Sequence, residues 1–488
     1  MSLSKLFKDA DFYAEPLTYG YRLLPFSFHR LPDARYVLVN MVGEHLIAEK
    51  SSLITLVNGE LGVKDRLYGE LKARHFIADQ DSDVAIDLLA LKYRTKQHPV
   101  AQFTGLHIFV VTLRCDYTCK YCQVSRRMEG DASFDMSESL ALRSLELVFN
   151  SPSKAIKIEF QGGEPLLNFP LIKFIVERAE EMNILENRFL QFVITTNLSF
   201  ISDDVIDFCR DHNVYISTSL DGPEALHNKN RPKPGKDGHQ ITVQNIKKIQ
   251  EQLGRDKVSA LMTTTADSLS QPLSIIDEYV NRSLHTIFLR PLSPYGFALK
   301  TKQLEKYNID NWMEFYKIGL DYIIDINKAG YFLREQYTSI ILRKILTPTN
   351  PGYVDLQSPA GIGISAVVYN YDGDIYASDE ARMLKEMGDE SFKLGNVNTD
   401  SYEEIFGSDV LLNALEESLA ESAPMCSECG LLAYCGSDPV YHHSTQGDVV
   451  GKKPLSFFCK KNMSIIEHIF TVLDDPNKRP ILESWIAC

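Results

Sequence analysis

The sequence predicts an α/β chain built on a partial (β/α)6 barrel of the TIM type, with a winged-helix-like module before it and a cysteine-rich region after it. Three observations carry this reading. Between residues 106 and 292 six short apolar runs rich in β-branched residues alternate with helical stretches, the order that gives a parallel sheet with right-handed crossovers. Six such units fall short of the eight that close a full barrel. Seven of the nine cysteines fall into two clusters, 115–122 and 426–459.

Taken in order, "YVLVNMV", "GEH" and "LIAEK" read as two strands joined by a turn at Gly43. "SSLITLVNGEL" follows as a helix with Ser51 or Ser52 as N-cap and Gly59 at its end. "VKDRLYGELKARHFI" sets Val63, Leu67, Leu71 and Phe76 at helical spacing, and "DQDSDVAIDLLALKYRTKQ" is a connecting helix. This module occupies residues 1–99. The barrel, 100–300, has strands "LHIFVVTL", "AIKIEF", "LQFVITTN", "VYISTSLDG", "VSALMTTT" and "TIFLRPL". Chemistry in such folds gathers at the C-terminal strand ends. There lie the first cysteine cluster, "QGGEP", "TTN" and "SLDG". A helical, tyrosine-rich bridge covers 301–355. Residues 356–488 open with the hairpin "ISAVVYNYDGDIYASD", turning at Asp372-Gly373.

Composition narrows the function classes. The formal charge is −14 over 488 residues, a poor match for a nucleic-acid binder. "MSLSKLFKDADFYAEP" lacks the apolar core of a signal peptide, and no run reaches the roughly 18 apolar residues of a membrane span. A cytoplasmic protein without membrane or nucleic-acid partners is expected. Disulfides are rare there, so clustered cysteines read as metal or iron–sulfur ligands. Cys209, in the apolar pattern "VIDFC", reads as a buried small hydrophobe.

Cys115, Cys119 and Cys122 form C-x3-C-x2-C directly after the first barrel strand. A zinc ribbon would offer four ligands in two CxxC pairs. A [4Fe–4S] cluster also takes four, so three thiolates leave one iron open. With the aromatic Tyr121 before the last cysteine, and "QGGEP" ending the second strand, the stretch resembles the radical S-adenosylmethionine (SAM) superfamily. The resemblance implies a [4Fe–4S] cluster whose open iron is chelated by SAM. The reduced cluster cleaves SAM to a 5′-deoxyadenosyl radical that abstracts hydrogen. It further implies that Gly162 and Gly163 allow close backbone approach and that Glu164 accepts from the SAM ammonium. Thr196, Asn197, Ser219 and Asp221 fall where the family places polar groups for SAM. Arg231, in "HNKNRPKPGKDG", matches the arginine of the family's H-D-x-x-R stretch, with Asn228 in place of the aspartate. Turn and cap roles are the competing reading for these strand-end groups.

Cys426, Cys429, Cys435 and Cys459 give C-x2-C-x5-C-x23-C. Four ligands make a closed site, for zinc or a second cluster. Beside a radical SAM core the region resembles the SPASM extension, whose outer auxiliary cluster uses such a set. The family's inner-cluster cysteines are replaced by Ala360, Ser378 and Pro439, which implies one auxiliary [4Fe–4S] cluster rather than two. Asp379 follows the lost position at 378. In sulfatase-maturing relatives an aspartate there is the catalytic base, which makes Asp379 a candidate base; a solvated acidic turn is the alternative.

The N-terminal module resembles the PqqD-like peptide-recognition element, which adds a peptide as an edge strand; a winged helix used only for packing is the alternative. The whole layout resembles the radical SAM maturase of the His-Xaa-Ser peptide system. The expected activity is modification of a ribosomally made precursor peptide, by cross-linking or dehydrogenation. A low-potential flavodoxin- or ferredoxin-type electron donor and a second radical SAM maturase complete the expected partners. A sulfatase-maturing or other protein-activating enzyme, and a non-catalytic cluster- and SAM-binding scaffold, are the rival readings.

Overall fold

A computed structural model of the chain describes residues 20–80 and 82–486. The N-terminal stretch inspected for a signal peptide and Cys488 lie outside the described residues. Strands β1 (Phe26–Arg30), β2 (Tyr36–Asn40) and β3 (His45–Ala48) form an antiparallel sheet in the order β1-β2-β3. Strand β1, "FSFHR", mixes polar and aromatic residues and was not among the expected strands. Helices α1 (Lys50–Val57) and α2 (Arg66–Ala73) follow. Asp65 starts α2 by accepting from the Leu67 amide at 2.9 Å, a favourable N-cap. Val63, expected on the apolar face of that helix, lies before it and is exposed. Leu38, Leu46, Leu56, Leu71 and Phe76 close a small core of their own. Helix α3 (Val84–Ala101) leads on to the barrel.

The barrel region runs β4 (Leu106–Thr112), α4 (Glu138–Asn150), β5 (Ala155–Gly162), α5 (Phe169–Glu186), β6 (Phe189–Thr196), α6 (Asp203–Asp211), β7 (Tyr215–Ser219), α7 (Gly238–Gln252), β8 (Val258–Leu261) and α8 (Pro272–Asn281). Neighbouring strands from β4 to β8 pair in parallel. Each helix lays an apolar face on the sheet; Cys209, 1% exposed, is part of that face in α6. Helices α9 (Ile309–Lys328) and α10 (Gln336–Leu346) form the bridge. They are followed by β9 (Ala366–Tyr369), β10 (Asp374–Tyr376), α11 (Asp379–Lys385), β11 (Lys393–Asn396), α12 (Pro439–Gln446) and α13 (Phe457–Leu473).

Two details differ from the sequence expectation. The sixth barrel strand is ordered as a strand only at Thr286–Ile287, and it pairs with Arg334–Glu335 outside the main sheet. Pro291 and Pro294 remove backbone donors from the stretch beyond it, where Arg290 accepts one bond from the Thr264 amide at 2.9 Å. The other edge of the sheet is longer than expected. Strand β9 lies parallel to β4, and the β9–β10 hairpin continues the sheet to give the order β8-β7-β6-β5-β4-β9-β10-β11. Strand β10 runs back antiparallel to β9, and Asp379, just past its end, lines the same cavity as the cysteine loop.

That loop is docked at the end of β5. The Gly163 amide donates to Thr112 O at 2.9 Å and the Glu164 amide to Arg114 O at 2.7 Å. A Cβ on Gly162, whose φ is +144°, would lie 1.9 Å from Thr112 O, and one on Gly163 would lie 2.2 Å from Arg114 O. Neither position has room for a methyl group. Gly163→Ala is expected to destabilise the fold by about 1–3 kcal/mol, the cost of forcing a tight contact apart. Gly62→Ala, with nothing within 4 Å of the added carbon, should be nearly neutral. Urea unfolding midpoints of the two variants check this; equal midpoints would contradict it.

Candidate functional site

The loop Arg114–Cys122 leaves β4 over a fixed root. Arg114 pairs with Asp135 through Nε–Oδ1 at 2.8 Å and Nη2–Oδ2 at 2.7 Å, and also donates to Leu167 O. Further along, the Thr118 amide donates to Pro232 O at 2.8 Å and the Lys120 amide to Asn230 O at 3.1 Å. Cys122 O accepts from the Phe297 amide at 2.8 Å, a contact that leaves no room for a Cβ on Gly296. The loop is thus clamped to four other segments, at Asp135, Leu167, 230–232 and Phe297, and its three cysteines are all partly buried.

These thiols line a cavity of about 450 Å³ at the C-terminal strand ends, together with Gly162, Gly163, Asn197, Ser219, Arg231 and Asp379. Burial pushes the Cys115 thiol well up, and the neighbouring Cys119 adds to the effect. Burial pushes Cys119 up to about 12, against the pull of the nearby Arg231 guanidinium. The Cys115 and Cys119 thiols, which resist ionisation unaided, are suited to a cationic metal centre, which deprotonates coordinating thiols. Cys115 Sγ accepts from the Tyr117 amide at 3.4 Å and lies 3.9 Å from Asn197 Nδ2. Such donors stabilise a charged sulfur. The loop therefore fits an iron–sulfur cluster with one open iron.

The strand-end groups divide by position. Asn197 and Ser219 line the cavity; Asn197 Nδ2 also donates to Asp116 at 2.8 Å. Glu164 is fully buried and does not line it. Its carboxylate accepts from Thr196 Oγ1 at 2.6 Å, the Asn197 amide at 2.7 Å and the Leu166 amide at 3.0 Å. Burial nevertheless pushes it up to about 7. In this arrangement Glu164 shapes the end of β6. Asp221 is also fully buried: it accepts from Tyr121 Oη at 2.6 Å and pairs with Arg231 Nε at 3.2 Å. Arg231 stacks over Tyr121 with 5.2 Å to the ring centroid. The Tyr121–Asp221–Arg231 group backs the cysteine loop, and Arg231 alone of Asp221 and Arg231 reaches the cavity wall.

Asp379 opens α11, whose N-cap Ser378 accepts from the Ala381 amide. Burial pushes its carboxyl up to about 6, against the nearby Arg382 guanidinium at 3.5 Å. It faces the same space as the cysteine loop. Arg290, Asp355 and Glu380 also line this cavity and were not singled out from the sequence. Arg290 had the same signal as the other strand-end groups, a polar residue closing "TIFLR".

The second cysteine set is built around the start of α13. Cys459 sits in its first turn, its amide bonded to the N-cap Ser456 at 3.2 Å. Cys429 Sγ accepts from the Leu431 amide at 3.5 Å, and Cys435 Sγ from Asn462 Nδ2 at 3.6 Å. Burial raises Cys426, Cys429 and Cys459, and in each case other cysteines of the set add to the effect. Four thiols near enough to feel one another's charge, with amide donors at Cys429 and Cys435, are suited to a closed cluster.

Residues 109–272 match the Radical SAM superfamily. A cysteine-type anaerobic sulfatase-maturating enzyme of Clostridium novyi is 24% identical over 378 residues, 74% of this chain and 94% of the relative. The solved structure of native anSMEcpe with bound AdoMet and Kp18Cys peptide is 16% identical, with a TM-score of 0.62 over 78% of this chain and 99% of that one. Streptococcus suis SuiB bound to precursor peptide SuiA is 14% identical, with a TM-score of 0.52 over 87% and 97%. The radical SAM fold implies a [4Fe–4S] cluster and SAM, and the C-terminal cysteines fit an auxiliary cluster. Residues 109–272 thus match the Radical SAM superfamily, the chain is similar in sequence to anaerobic sulfatase-maturating enzymes, and its fold is similar to those of anSMEcpe and SuiB.

Proposed function

We propose that the protein modifies a ribosomally made precursor peptide. The observation that carries this reading is that Asp379 and the three-cysteine loop open into one cavity. Cys115, Cys119 and Cys122 would hold a cluster whose open iron binds SAM; when bound, the two supply a radical that abstracts hydrogen from the substrate. Gly162 and Gly163 keep the wall beside the loop free of side chains, and Asn197, Ser219 and Arg231 offer polar contacts to SAM. Asp379 would take the proton released as the substrate is oxidised, an assignment that its raised carboxyl suits. The four-cysteine site would accept the electron, and a flavodoxin- or ferredoxin-type donor would reduce the first cluster. A cross-linked or dehydrogenated residue is the expected product.

The N-terminal module supports a peptide substrate. The side of β3 away from β2 borders a groove of about 730 Å³, lined by Glu44 and the strand residues His45–Ile47, by Arg66 and Glu70 of α2 and by its C-cap Arg74. An extended peptide adds to such an edge by main-chain hydrogen bonds. A sulfatase-maturing role is the second reading, supported by the 94% coverage of the Clostridium novyi relative. Mass spectrometry of candidate precursor peptides and of sulfatase peptides, each co-expressed with the enzyme, separates the two.

Two predictions follow from the cavity and the groove. Asp379→Asn should reduce peptide modification about 10²-fold or more while SAM cleavage without peptide continues. In the wild type the modification rate should fall as pH drops through about 6, where Asp379 takes up its proton; a flat pH profile would contradict a base role. Ile47→Asp should weaken peptide binding about tenfold, a loss of ~1.4 kcal/mol, with SAM cleavage without peptide unchanged. Fluorescence anisotropy of a labelled peptide reads the affinity, and an unchanged Kd would remove the groove from substrate binding.

A further inference from the structure

Burying a lysine is costly unless its charge is compensated. Among the described residues four lysines are buried: Lys96, Lys344, Lys453 and Lys461, at 5%, 2%, 7% and 8% exposure. All four lie around the second cysteine set, and none is paired with a carboxylate among the described residues. Lys453 Nζ donates to Val450 O, and its charge is felt by Cys426 and Cys459. Lys461 stands over the rings of Tyr337 and Phe458 at 4.9 and 5.3 Å.

Lys96 and Lys344 are the most confined. Lys96 Nζ donates to Val42 O at 2.8 Å and Ala433 O at 3.3 Å. Lys344 Nζ donates to Leu356 O and to Cys435 O, the latter at 2.7 Å. Both line a cavity of about 350 Å³ that is also lined by Cys429 and Cys435. They are close enough to repel each other. The carboxylate on this wall, Glu421, is exposed and accepts a hydrogen bond from Ser358. The Glu421 charge reaches Lys344, but two buried like charges whose hydrogen bonds go only to carbonyls call for a closer anion. A [4Fe–4S] cluster on four thiolates is such an anion, and it becomes more negative on reduction.

We propose that Lys96 and Lys344 are buried counter-cations of the auxiliary cluster, and that they raise its reduction potential by favouring its more negative state. The proposal rests on an iron–sulfur cluster occupying the four-thiolate site. Neither lysine is a cluster ligand; they act through charge, as positioning residues for the electron. Lys96 comes from α3 and bonds the β2–β3 turn, so the same ammonium also joins the N-terminal module to the loop between Cys429 and Cys435.

The test is an EPR-monitored redox titration of the anaerobically reconstituted full chain in a Cys115→Ala, Cys119→Ala, Cys122→Ala background, which isolates the second site. Lys344→Met should lower the ratio of reduced to oxidised cluster about tenfold at a fixed potential, a shift of about 59 mV. Lys96→Met should shift it the same way. Lys344→Arg, which keeps the charge, should stay close to the parent. Iron content reports cluster loading, and if Lys344→Met fails to load, Lys96→Met decides. Parent-like potentials in every loaded Met variant, or the same downward shift in Lys344→Arg, would overturn the proposal. Zinc instead of iron in the parent's four-cysteine site would also overturn it, and would leave the radical SAM assignment of the barrel standing.

Discussion

The loop that carries Cys115, Cys119 and Cys122 reaches its position because the end of β5 has no side chains. Thr112 O and Arg114 O lie where the Cβ atoms of residues 162 and 163 would be, and backbone bonds across this contact fix the loop against the strand. Much of the site hangs from that contact. Glu164, next in sequence, turns inward and organises Thr196 and Asn197 at the end of β6. Asn197 in turn reaches Asp116 within the loop. A pair of glycines, a buried carboxylate and a strand end thus position three thiols through backbone geometry, which leaves the thiols free for a metal centre.

The two cysteine sites differ in more than ligand number. The first opens into a cavity of about 450 Å³ with room for a ligand, and its nearby cation, Arg231, is neutralised by Asp221. The second is packed against α13 and the N-terminal module, with buried lysines around it. A site that binds a substrate needs space and a vacant coordination position. A site that only passes electrons needs a closed ligand set and a controlled potential. The second site also borders a cavity, of about 350 Å³, but Lys96 and Lys344 line it, so charge rather than space marks the division.

The alternation of apolar strands with helices was legible because a parallel sheet buried on both faces writes near-continuous apolar runs. Both cysteine clusters stood out by spacing, but for the second it was the family resemblance, not the spacing, that favoured an iron–sulfur cluster over zinc. Other features depend on partners distant in sequence. Nothing in "ISAVVYN" reveals that β9 pairs with β4 about 260 residues earlier, and that pairing helps bring Asp379 to the cavity wall. "TIFLRPL" has strand composition, yet its prolines and its pairing with Arg334–Glu335 keep it outside the main sheet. The family resemblance implies SAM contacts for Glu164, through the GGEP motif, and for Asp221; both carboxylates accept hydrogen bonds from protein groups. The buried lysines left no local trace, because a lysine in a helix reads as solvent-facing until its burial is known.

The central claim is that reactivity belongs to the three-cysteine site and not to the four-cysteine site. Measuring 5′-deoxyadenosine release with dithionite and SAM, in two reconstituted variants, tests it most directly. Replacing Cys426, Cys429, Cys435 and Cys459 by Ala should leave release intact, while replacing Cys115, Cys119 and Cys122 should abolish it. Continued release from the second variant would contradict the account.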